Sequence, residues 1–274
     1  MVPVCTSKNG IHRCSLIPLL DSEPTLVDDT LKINPGRNHV DIFCTIFLPV
    51  FNEERSVVPL IASIRQEMDR SEKSYEILVV DDGSTDATAA KLREFDGIRV
   101  ITHPTNLGYG ASIKTGVQEA KGERILLMDA DSSYPAELIR RMLDVSTRCD
   151  MVVGARKQVF IRHFLARGIL RYLFKVVTSV LVGTWIPDLN SGMRVVRTDL
   201  ARQVAHLLPD GFSASSTLTV IFMRNNRCIE YQNIPYRTRI GISKLKVVRD
   251  GLRFLRFVLF QRERFVVEAM RDRR

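Results

Sequence analysis

Short apolar runs alternate with amphipathic segments through the middle of the chain. The apolar runs are 44–50, 75–80, 98–101, 124–128 and 151–153. They are rich in Leu and β-branched residues and end in polar turns, which is typical of buried parallel strands. The segments 57–68, 86–95, 108–120 and 135–146 lie between them, with helical spacing or helix-start signals. This alternation predicts an α/β fold, in which a mostly parallel sheet carries helices on both faces.

The pattern weakens on either side of this region. Residues 1–41 lack sustained periodicity, and we expect a poorly ordered N-terminal arm. After residue 154 we expect a helix over 160–181, a polar loop, a short strand at 195–196, two further helices and a hairpin-like stretch over 228–239. The predicted organisation is therefore an arm (1–41), one domain (42–243, with halves 42–154 and 155–243) and a basic amphipathic C-terminal helix (244–274).

Acidic residues follow two of the predicted strands. Asp81 and Asp82 end the second strand, and Asp129 and Asp131 follow the fourth. Ligands of open α/β sheets bind beyond the carboxyl ends of the strands, so both pairs point to one crevice. Helix capping explains Asp131 but leaves Asp129 unexplained. Two carboxylates one residue apart suit a divalent cation that also binds a nucleotide diphosphate.

A glycine-rich segment precedes the third predicted helix. Gly108 and Gly110 would let an anion approach the helix N-terminus, with Lys114 one turn further on. The segment lacks the third glycine of a dinucleotide-binding fingerprint and does not match a P-loop. The alternative is a structural loop with Lys114 on a solvated helix face.

Composition narrows the choice of partners. The 274 residues carry a net charge of +9, with a pI near 9.5, which favours anionic partners. Five cysteines without a Cys-x-x-Cys pair indicate free thiols in a reducing compartment. No apolar run approaches the roughly 18 residues of a spanning helix. We therefore expect a cytoplasmic protein without a membrane span.

Seven short motifs occur in a characteristic order. They are Pro49-x-Phe51-Asn52-Glu53-Glu54, Asp81-Asp82-Gly83-Ser84-x-Asp86, Asn106-x-Gly108-x-Gly110-x-x-x-Lys114, Asp129-Ala130-Asp131, Gly154-x-Arg156, Asp188-x-x-Ser191-Gly192 and Gly241-x-Ser243-Lys244. Together they resemble the family 2 glycosyltransferases of the GT-A fold, and most closely the dolichol-phosphate mannosyltransferase and polyprenyl-phosphate glycosyltransferase branch. The resemblance covers roughly residues 44–260 and is far more specific than any one motif.

The resemblance implies roles for individual residues. The residues implied for the nucleotide sugar are Pro49, Phe51, Glu53, Val80, Asp82, Lys114, Asp129, Ala130 and Asp131. Those implied for the donor or acceptor phosphates are Arg156, Arg167, Arg239 and Lys244. Asp129 and Asp131 would bind Mg²⁺ or Mn²⁺, and Asp131 and Arg156 would be the catalytic pair. Ser133 stands where relatives carry a glutamine, which leaves the third metal ligand open.

The implied reaction is an inverting transfer of a hexose from a nucleotide diphospho-sugar, of the GDP-mannose or UDP-glucose type, to a polyprenyl or dolichyl phosphate. Residues 215–217 are Ser, Ser and Thr where relatives carry an acidic residue. A phosphate acceptor is largely dianionic at neutral pH, so it does not require a general base. The alternatives are a family 2 enzyme with a soluble or polysaccharide acceptor and an inactive nucleotide-binding scaffold.

A lipid acceptor raises the question of membrane contact. Lys246, Arg249, Arg253 and Arg256 form a cationic stripe beside apolar residues 257–260. This suits a helix at the surface of an anionic membrane, although a core-packed helix with a solvated basic face is an equal alternative. We expect a peripheral protein on the cytoplasmic membrane face or one that depends on a membrane-spanning partner. No nucleic-acid-binding module is recognisable.

Overall fold

A computed structural model describes residues 2–6, 13–17, 42–156 and 165–235, with side chains described for 42–156 and 172–235. The chain divides into two compact units, Met1–Val40 and Asp41–Arg274. In the first unit, strands β1 (Val2–Thr6) and β2 (Arg13–Ile17) pair antiparallel. The rest of the predicted arm and the predicted helix over 244–274 lie outside the described residues.

The second unit alternates strands and helices. Its strands are β3 (Cys44–Val50), β4 (Tyr75–Asp81), β5 (Arg99–Thr102), β6 (Arg124–Met128), β7 (Met151–Arg156), β8 (Met193–Arg197) and β9 (Ile229–Ile234). Its helices are α1 (Val57–Met68), α2 (Thr88–Arg93), α3 (Tyr109–Glu119), α4 (Ile139–Val145), α5 (Leu165–Val182), α6 (Thr198–Val204) and α7 (Ala214–Arg224). Short 3-10 turns precede and follow α4 and follow α6.

Seven strands form one mixed sheet in the order β5-β4-β3-β6-β8-β7-β9. Strands β3 to β6 are mutually parallel, and β9 runs parallel to β7. The predicted α/β fold with a mostly parallel sheet is confirmed. Sequence periodicity did not reveal that β8 inserts antiparallel between β6 and β7. Nor is the described part of the hairpin-like stretch a hairpin, because β9 pairs in parallel with a strand far away in sequence.

Each face of the sheet packs against its own layer of buried side chains. Along β4, Ile77 and Val79 belong to one core with α1 and α4, while Leu78 and Val80 belong to the other with α3 and α7. The two-residue alternation of a strand produces this division. Since β3 lies between β4 and β6, the carboxyl ends of these three strands are neighbours at one edge. The two acidic pairs therefore lie at the same end of the sheet, beyond the carboxyl ends of the strands.

The cysteines of the second unit are free thiols. Cys44 and Cys149 are buried, and burial raises the pKa of each thiol to about 12. Both thiols are therefore protonated and unreactive at neutral pH. Among the described helices, none combines the length and apolar character that crossing a bilayer requires.

Candidate active site

The loop after β3 is bonded to the loop after β4. The backbone amide of Asn52 donates to Ser84 Oγ (2.9 Å), and the side chain of Asn52 accepts from the amide of Thr85 (2.7 Å). The amide of Glu53 donates to Thr88 Oγ1 (2.9 Å) at the start of α2. Two of the sequence motifs therefore form one structural unit, which holds both strand ends in fixed positions.

Asp82 binds the backbone amides that immediately precede α3. Its carboxylate accepts from the amides of Leu107 (2.9 Å) and Gly108 (2.8 Å) and lies 2.7 Å from His103 Nδ1. Only 3% of Asp82 is exposed. An anion is favourable at this helix end, and here a side chain of the protein supplies it. The role of Asp82 in a base pocket remains a prediction, since its carboxylate is already bonded to the protein.

The glycines before α3 allow close packing of backbone on backbone. A Cβ atom on Gly110 would lie 1.9 Å from the carbonyl oxygen of Pro209, and one on Gly108 would lie 2.5 Å from that of Asp210. The amide of Gly110 donates to the latter oxygen (2.7 Å), and Lys114 Nζ pairs with the Asp210 carboxylate (2.5 Å). The small residues thus admit the 209–210 loop. Whether Lys114 also binds the donor remains a prediction.

Asp129 lies at the end of β6, where two hydroxyl-bearing side chains converge. Tyr109 donates its hydroxyl hydrogen to Asp129 Oδ1 (2.8 Å), and its oxygen lies 3.3 Å from Ser215 Oγ. Burial, and then the negative charge of Asp129, raise the pKa of Tyr109 well above its usual value. Tyr109 therefore remains a neutral donor that fixes the orientation of the Asp129 carboxylate.

Gly192 makes room for the same carboxylate. A Cβ atom at this position would lie 1.9 Å from Asp129 Oδ2. The amide of Gly192 donates to Tyr134 Oη (2.6 Å), and its carbonyl accepts from the amide of Asp129 (3.2 Å). The Ser191-Gly192 motif thus has a physical explanation: the carboxylate of Asp129 occupies the space that any side chain at 192 would fill.

Asp131 stands in a tight turn beyond Asp129. It is 9% exposed, and its Oδ1 accepts from the amide (3.0 Å) and hydroxyl (2.5 Å) of Ser133. Ser132 between them has φ +59°, a left-handed backbone that is uncommon for residues other than glycine. Asp129 and Asp131 therefore follow the same strand, with Asp131 held by Ser133 inside the turn.

The donor set suits a cation that arrives with its own ligands. Within the described ranges, no group of three or more His, Cys, Asp or Glu residues is placed to hold a metal ion. Mg²⁺ typically uses one or two carboxylates and completes its shell with water and substrate phosphates. Asp129 and Asp131 supply such a pair, and Gly192 leaves the space that the first of them needs. The residues present therefore fit a metal bound together with a diphosphate.

Arg156 is held in place by Asp188. Its Nε and Nη2 donate to the two carboxylate oxygens (2.7 and 2.9 Å), and its backbone amide also donates to Oδ2 (3.2 Å). Burial raises the pKa of Asp188, but the hydrogen bonds and charge of Arg156 outweigh it, so the pKa lies below its usual value. The pair is ionised at neutral pH and fixes a guanidinium at the end of β7.

Arg194 has a structural role that sequence reasoning missed. It is fully buried and donates to the carbonyls of Ser191 (2.5 Å) and Ser215 (2.6 Å) and to Thr219 Oγ1 (3.0 Å). It therefore joins the Gly192 loop to α7. The sequence showed Arg194 only as one of several cations that could bind phosphate. Its place beside the apolar residues Met193, Val195 and Val196 of β8 was the available signal.

The other predicted site residues divide into three groups. Pro49, Val80 and Ala130 are buried at the strand ends, and Val80 contributes its side chain to the core beneath α3. Phe51 and Glu53 are half-buried in the loop after β3, where Glu53 accepts from Ser56 Oγ (2.7 Å). Three predicted phosphate ligands, the side chain of Arg167 and all of Arg239 and Lys244, lie outside the described residues.

Solved structures share this fold. Glucosyl-3-phosphoglycerate synthase of Mycobacterium tuberculosis, in a complex with Mn²⁺, UDP-glucose and phosphoglyceric acid, superposes with a TM-score of 0.62. The match covers 80% of this chain and 79% of that one, at 17% sequence identity. At this identity the likeness establishes the GT-A-like fold alone.

The chain is also similar in sequence to curated glycosyltransferases. Dodecaprenyl-phosphate galacturonate synthase of Rhizobium johnstonii is 29% identical over 167 residues, which cover 58% of this chain and 49% of the relative. Dolichyl-phosphate beta-glucosyltransferase of Dictyostelium discoideum is 28% identical over 203 residues, covering 66% and 60%. The chain spans about half the length of the first of these relatives. Residues 45–205, more than half of the chain, match the family described as Glycosyl transferase family 2. The chain therefore belongs to glycosyl transferase family 2.

Proposed function

We propose that this protein transfers a hexose from a nucleotide diphospho-sugar to a polyprenyl phosphate. The observation that carries the proposal is the contact of Asp129 with the Gly192 loop just beyond β6, two residues before Asp131 and two strands from the Asp81-Asp82 pair. The names of the relatives supply the acceptor class. The donor is of the GDP-mannose or UDP-glucose type.

Asp129 and Asp131 would hold Mg²⁺ or Mn²⁺ against the donor diphosphate. The bound ion supplies positive charge to the leaving diphosphate. The base and ribose would lie along the ends of β3 and β4. The residues proposed to line this pocket are Pro49, Phe51, Glu53, Val80 and Asp82, with Lys114 and Ala130 nearer the phosphates. The cross-bonded loops after β3 and β4 would keep this pocket rigid before the donor arrives.

Asp81 adds a candidate for donor recognition. Its Oδ1 accepts from the amide of Ser84 (3.1 Å), whereas its Oδ2 is buried and has no hydrogen-bond partner. Leaving a buried acceptor unmatched costs roughly 1–3 kcal/mol. A donor group of the base or ribose would remove that cost. We therefore include Asp81 beside Asp82 in the proposed pocket.

The acceptor phosphate would lie near Arg156, with Arg167, Arg239 and Lys244 as further ligands. The salt bridge to Asp188 holds the Arg156 guanidinium, so its position does not depend on the substrate. A phosphate oxygen attacks C1 of the sugar, the bond from C1 to the diphosphate oxygen breaks, and the nucleoside diphosphate leaves with the electron pair. No proton has to leave the dianionic acceptor. Alignment of the two substrates is then the main catalytic contribution of the protein.

The cellular setting follows from the substrates. A polyprenyl phosphate resides in a membrane, and nucleotide sugars are water-soluble. We propose a protein that works on the cytoplasmic membrane face, either bound peripherally or with a membrane-spanning partner. The net charge of +9 supports attraction to an anionic surface.

A transfer assay tests the proposal. The purified chain is incubated with Mn²⁺, each of several labelled nucleotide sugars, and either a polyprenyl phosphate in detergent or 3-phosphoglycerate. We expect label in the lipid fraction with one donor, and loss of that signal when the metal is chelated. Label only in 3-phosphoglycerate would favour a soluble acceptor. No transfer and no donor hydrolysis would favour a nucleotide-binding scaffold.

A further inference from the structure

The second half of α5 has its polar side chains buried, while several of its large apolar side chains are exposed and Phe174 is buried. Lys175, Thr178 and Ser179 are 9%, 0% and 6% exposed. Tyr172, Leu173 and Val180 are 54%, 54% and 74% exposed. A surface helix of a globular protein normally shows the opposite arrangement. The partly exposed side chains of this stretch, at 176, 177, 181 and 182, are also Val or Leu.

The buried hydroxyls are satisfied by the helix and the turn that follows it. Thr178 Oγ1 donates to the carbonyl of Phe174 (2.7 Å), and Ser179 Oγ donates to that of Lys175 (2.8 Å). Ser179 Oγ also accepts from the amide of Ile186 (3.1 Å), which fixes the turn after α5. The inverted orientation is therefore hydrogen-bonded and compatible with a stable fold.

Trp185 extends this apolar surface beyond the end of the helix. It is 55% exposed, and Lys175 Nζ lies 4.5 Å from the centre of its ring and 5.2 Å from that of Tyr172. The cation thus joins the two aromatic rings. We define the α5 face as Tyr172, Leu173, Val180 and Trp185. Four of the seven large apolar side chains exposed in the described part of the chain belong to it.

The sequence around the α5 face carries only positive charge. From residue 151 to residue 187 there is no Asp or Glu. The same stretch contains Arg156, Lys157, Arg162, Arg167, Arg171 and Lys175. Such a segment is complementary to an anionic surface, and amphipathic aromatic rings are typical of the boundary between water and lipid.

We propose that the α5 face inserts into the headgroup region of an anionic lipid bilayer. Leu173 and Val180 would enter the apolar boundary, and Tyr172 and Trp185 would lie at headgroup level. Asp188, which binds Arg156 of the proposed acceptor site, follows Trp185 by only three residues. Insertion of the α5 face would bring the protein to the membrane in which the proposed lipid acceptor resides. The inference itself rests on the exposure of the α5 face and the positive charge around it, so it can be tested without catalysis.

Trp185 provides a direct reporter because it is the only tryptophan in the chain. The full chain is titrated with vesicles of phosphatidylcholine and phosphatidylglycerol that contain neither nucleotide sugar nor polyprenyl phosphate. We expect a blue shift of the emission, quenching by lipids brominated near the headgroup, and weaker binding at high salt. Since no substrate is present, this result can hold even if transfer activity is never found.

Two variants separate the α5 face from other surfaces. The double variant Leu173→Ser with Val180→Ser should bind vesicles roughly tenfold more weakly or worse, because two apolar contacts are lost. Val100→Ser is the matched control: this valine on β5 is 37% exposed and lies outside the face, so its loss should leave binding unchanged. The melting temperature of each variant shows that it is folded.

Several results would overturn the proposal. Absence of binding at low salt is one, and vesicle binding without any change in Trp185 emission is another, because it assigns the contact to a different part of the chain. A double variant that binds like the wild type contradicts it as well. A blue shift that depends on protein concentration without lipid would identify a second copy of the chain as the occupant instead.

Discussion

The carboxyl ends of β4 and β6 both carry acidic pairs, but the protein bonds them differently. At β4, the Asp82 carboxylate accepts from two backbone amides and contacts His103, all of them 21 to 26 residues further along the chain. At β6, Asp131 accepts from Ser133 within its own turn, and Asp129 accepts from the hydroxyl of Tyr109. The Asp82 carboxylate thus binds backbone amides of a distant loop, whereas Asp129 and Asp131 each accept a hydrogen from a side-chain hydroxyl group.

The difference shows that an acidic motif at a strand end has two possible uses. A carboxylate that receives amide hydrogens at a helix N-terminus contributes chiefly to stability. A carboxylate that is oriented by hydroxyls, with a glycine keeping the space beside it open, is suited to bind a cation. Substitutions at the β6 end should therefore reduce activity, whereas Asp82 substitutions should reduce the free energy of unfolding.

The largest effect on activity is expected for Asp131→Asn. The amide retains an acceptor for Ser133 but removes the negative charge that a divalent ion requires. We expect metal-dependent transfer to fall by roughly 100-fold or more, with little change in melting temperature. Asp96→Asn on the exposed surface is the control, and its activity should match the wild type. If Asp131→Asn retains normal turnover, the assignment of the metal site is wrong.

The second-largest loss of activity is expected for Gly192→Ala. The added methyl group would overlap Asp129 Oδ2, so the carboxylate or the loop must move. A displacement near 1 Å in an active site costs about 100-fold in rate, and we expect a loss of that order. Gly211→Ala is the matched control, because a Cβ atom there meets no heavy atom within 4 Å. Equal activities of the two variants would contradict the role given to Gly192.

Asp82→Asn and Asp81→Asn form a pair of neighbouring substitutions. An amide at 82 cannot accept from both the Leu107 and Gly108 amides in the way a carboxylate does, so we expect a loss of roughly 2–3 kcal/mol in the free energy of unfolding. An amide at 81 still accepts from Ser84, and its effect on stability should stay below about 1 kcal/mol, while donor binding weakens about tenfold. Denaturant unfolding measures the stability of each variant, and titration with the nucleotide sugar measures its donor affinity. The reverse order of stabilities would show that Asp82 is not the structural member.

The smallest effect concerns Asp188 and depends on pH. Its pKa is lower in the folded state than the unfolded value near 3.9, so its contribution to stability is complete above that value and is lost as the pH falls through the folded pKa. Asp188→Asn should reduce the free energy of unfolding by about 1–2 kcal/mol at pH 7. The difference from the wild type should shrink below about pH 4. A difference independent of pH would exclude ionisation as its cause.

Sequence patterns predicted most of the strands and helices of this protein. The strands and helices from β3 to β7 agree with the expected boundaries within a few residues. Each of them has a regular pattern of apolar residues that ends at a polar turn, and such patterns indicate where an element begins and ends. The antiparallel insertion of β8 was not predictable in this way. Strand direction depends on pairing between distant segments, and the apolar pattern of Met193–Arg197 does not indicate which way the strand runs.

The sequence predicted where the candidate site residues lie relative to the strands, but it did not predict the hydrogen bonds that these residues make. The sequence predicted that Asp82, Asp129 and Asp131 follow strands whose carboxyl ends lie together, and the order β4-β3-β6 of parallel strands agrees with that placement. The roles of these three residues in one site stay a prediction. The sequence could not show that the amides before α3 bind Asp82, since they come from a loop about 25 residues away. Nor could it show that Gly192 accommodates Asp129, because the two meet only through the pairing of β6 with β8.

The most direct test of the central claim is the coupling between metal and donor. Calorimetry measures the affinity of the wild type and of Asp131→Asn for each nucleotide sugar, with and without Mn²⁺. We expect Mn²⁺ to strengthen binding of one nucleotide sugar by tenfold or more in the wild type and to have no effect in the variant. If the ion and the donor bind independently in the wild type, or if the variant shows the same coupling, Asp131 is not part of a metal and diphosphate site.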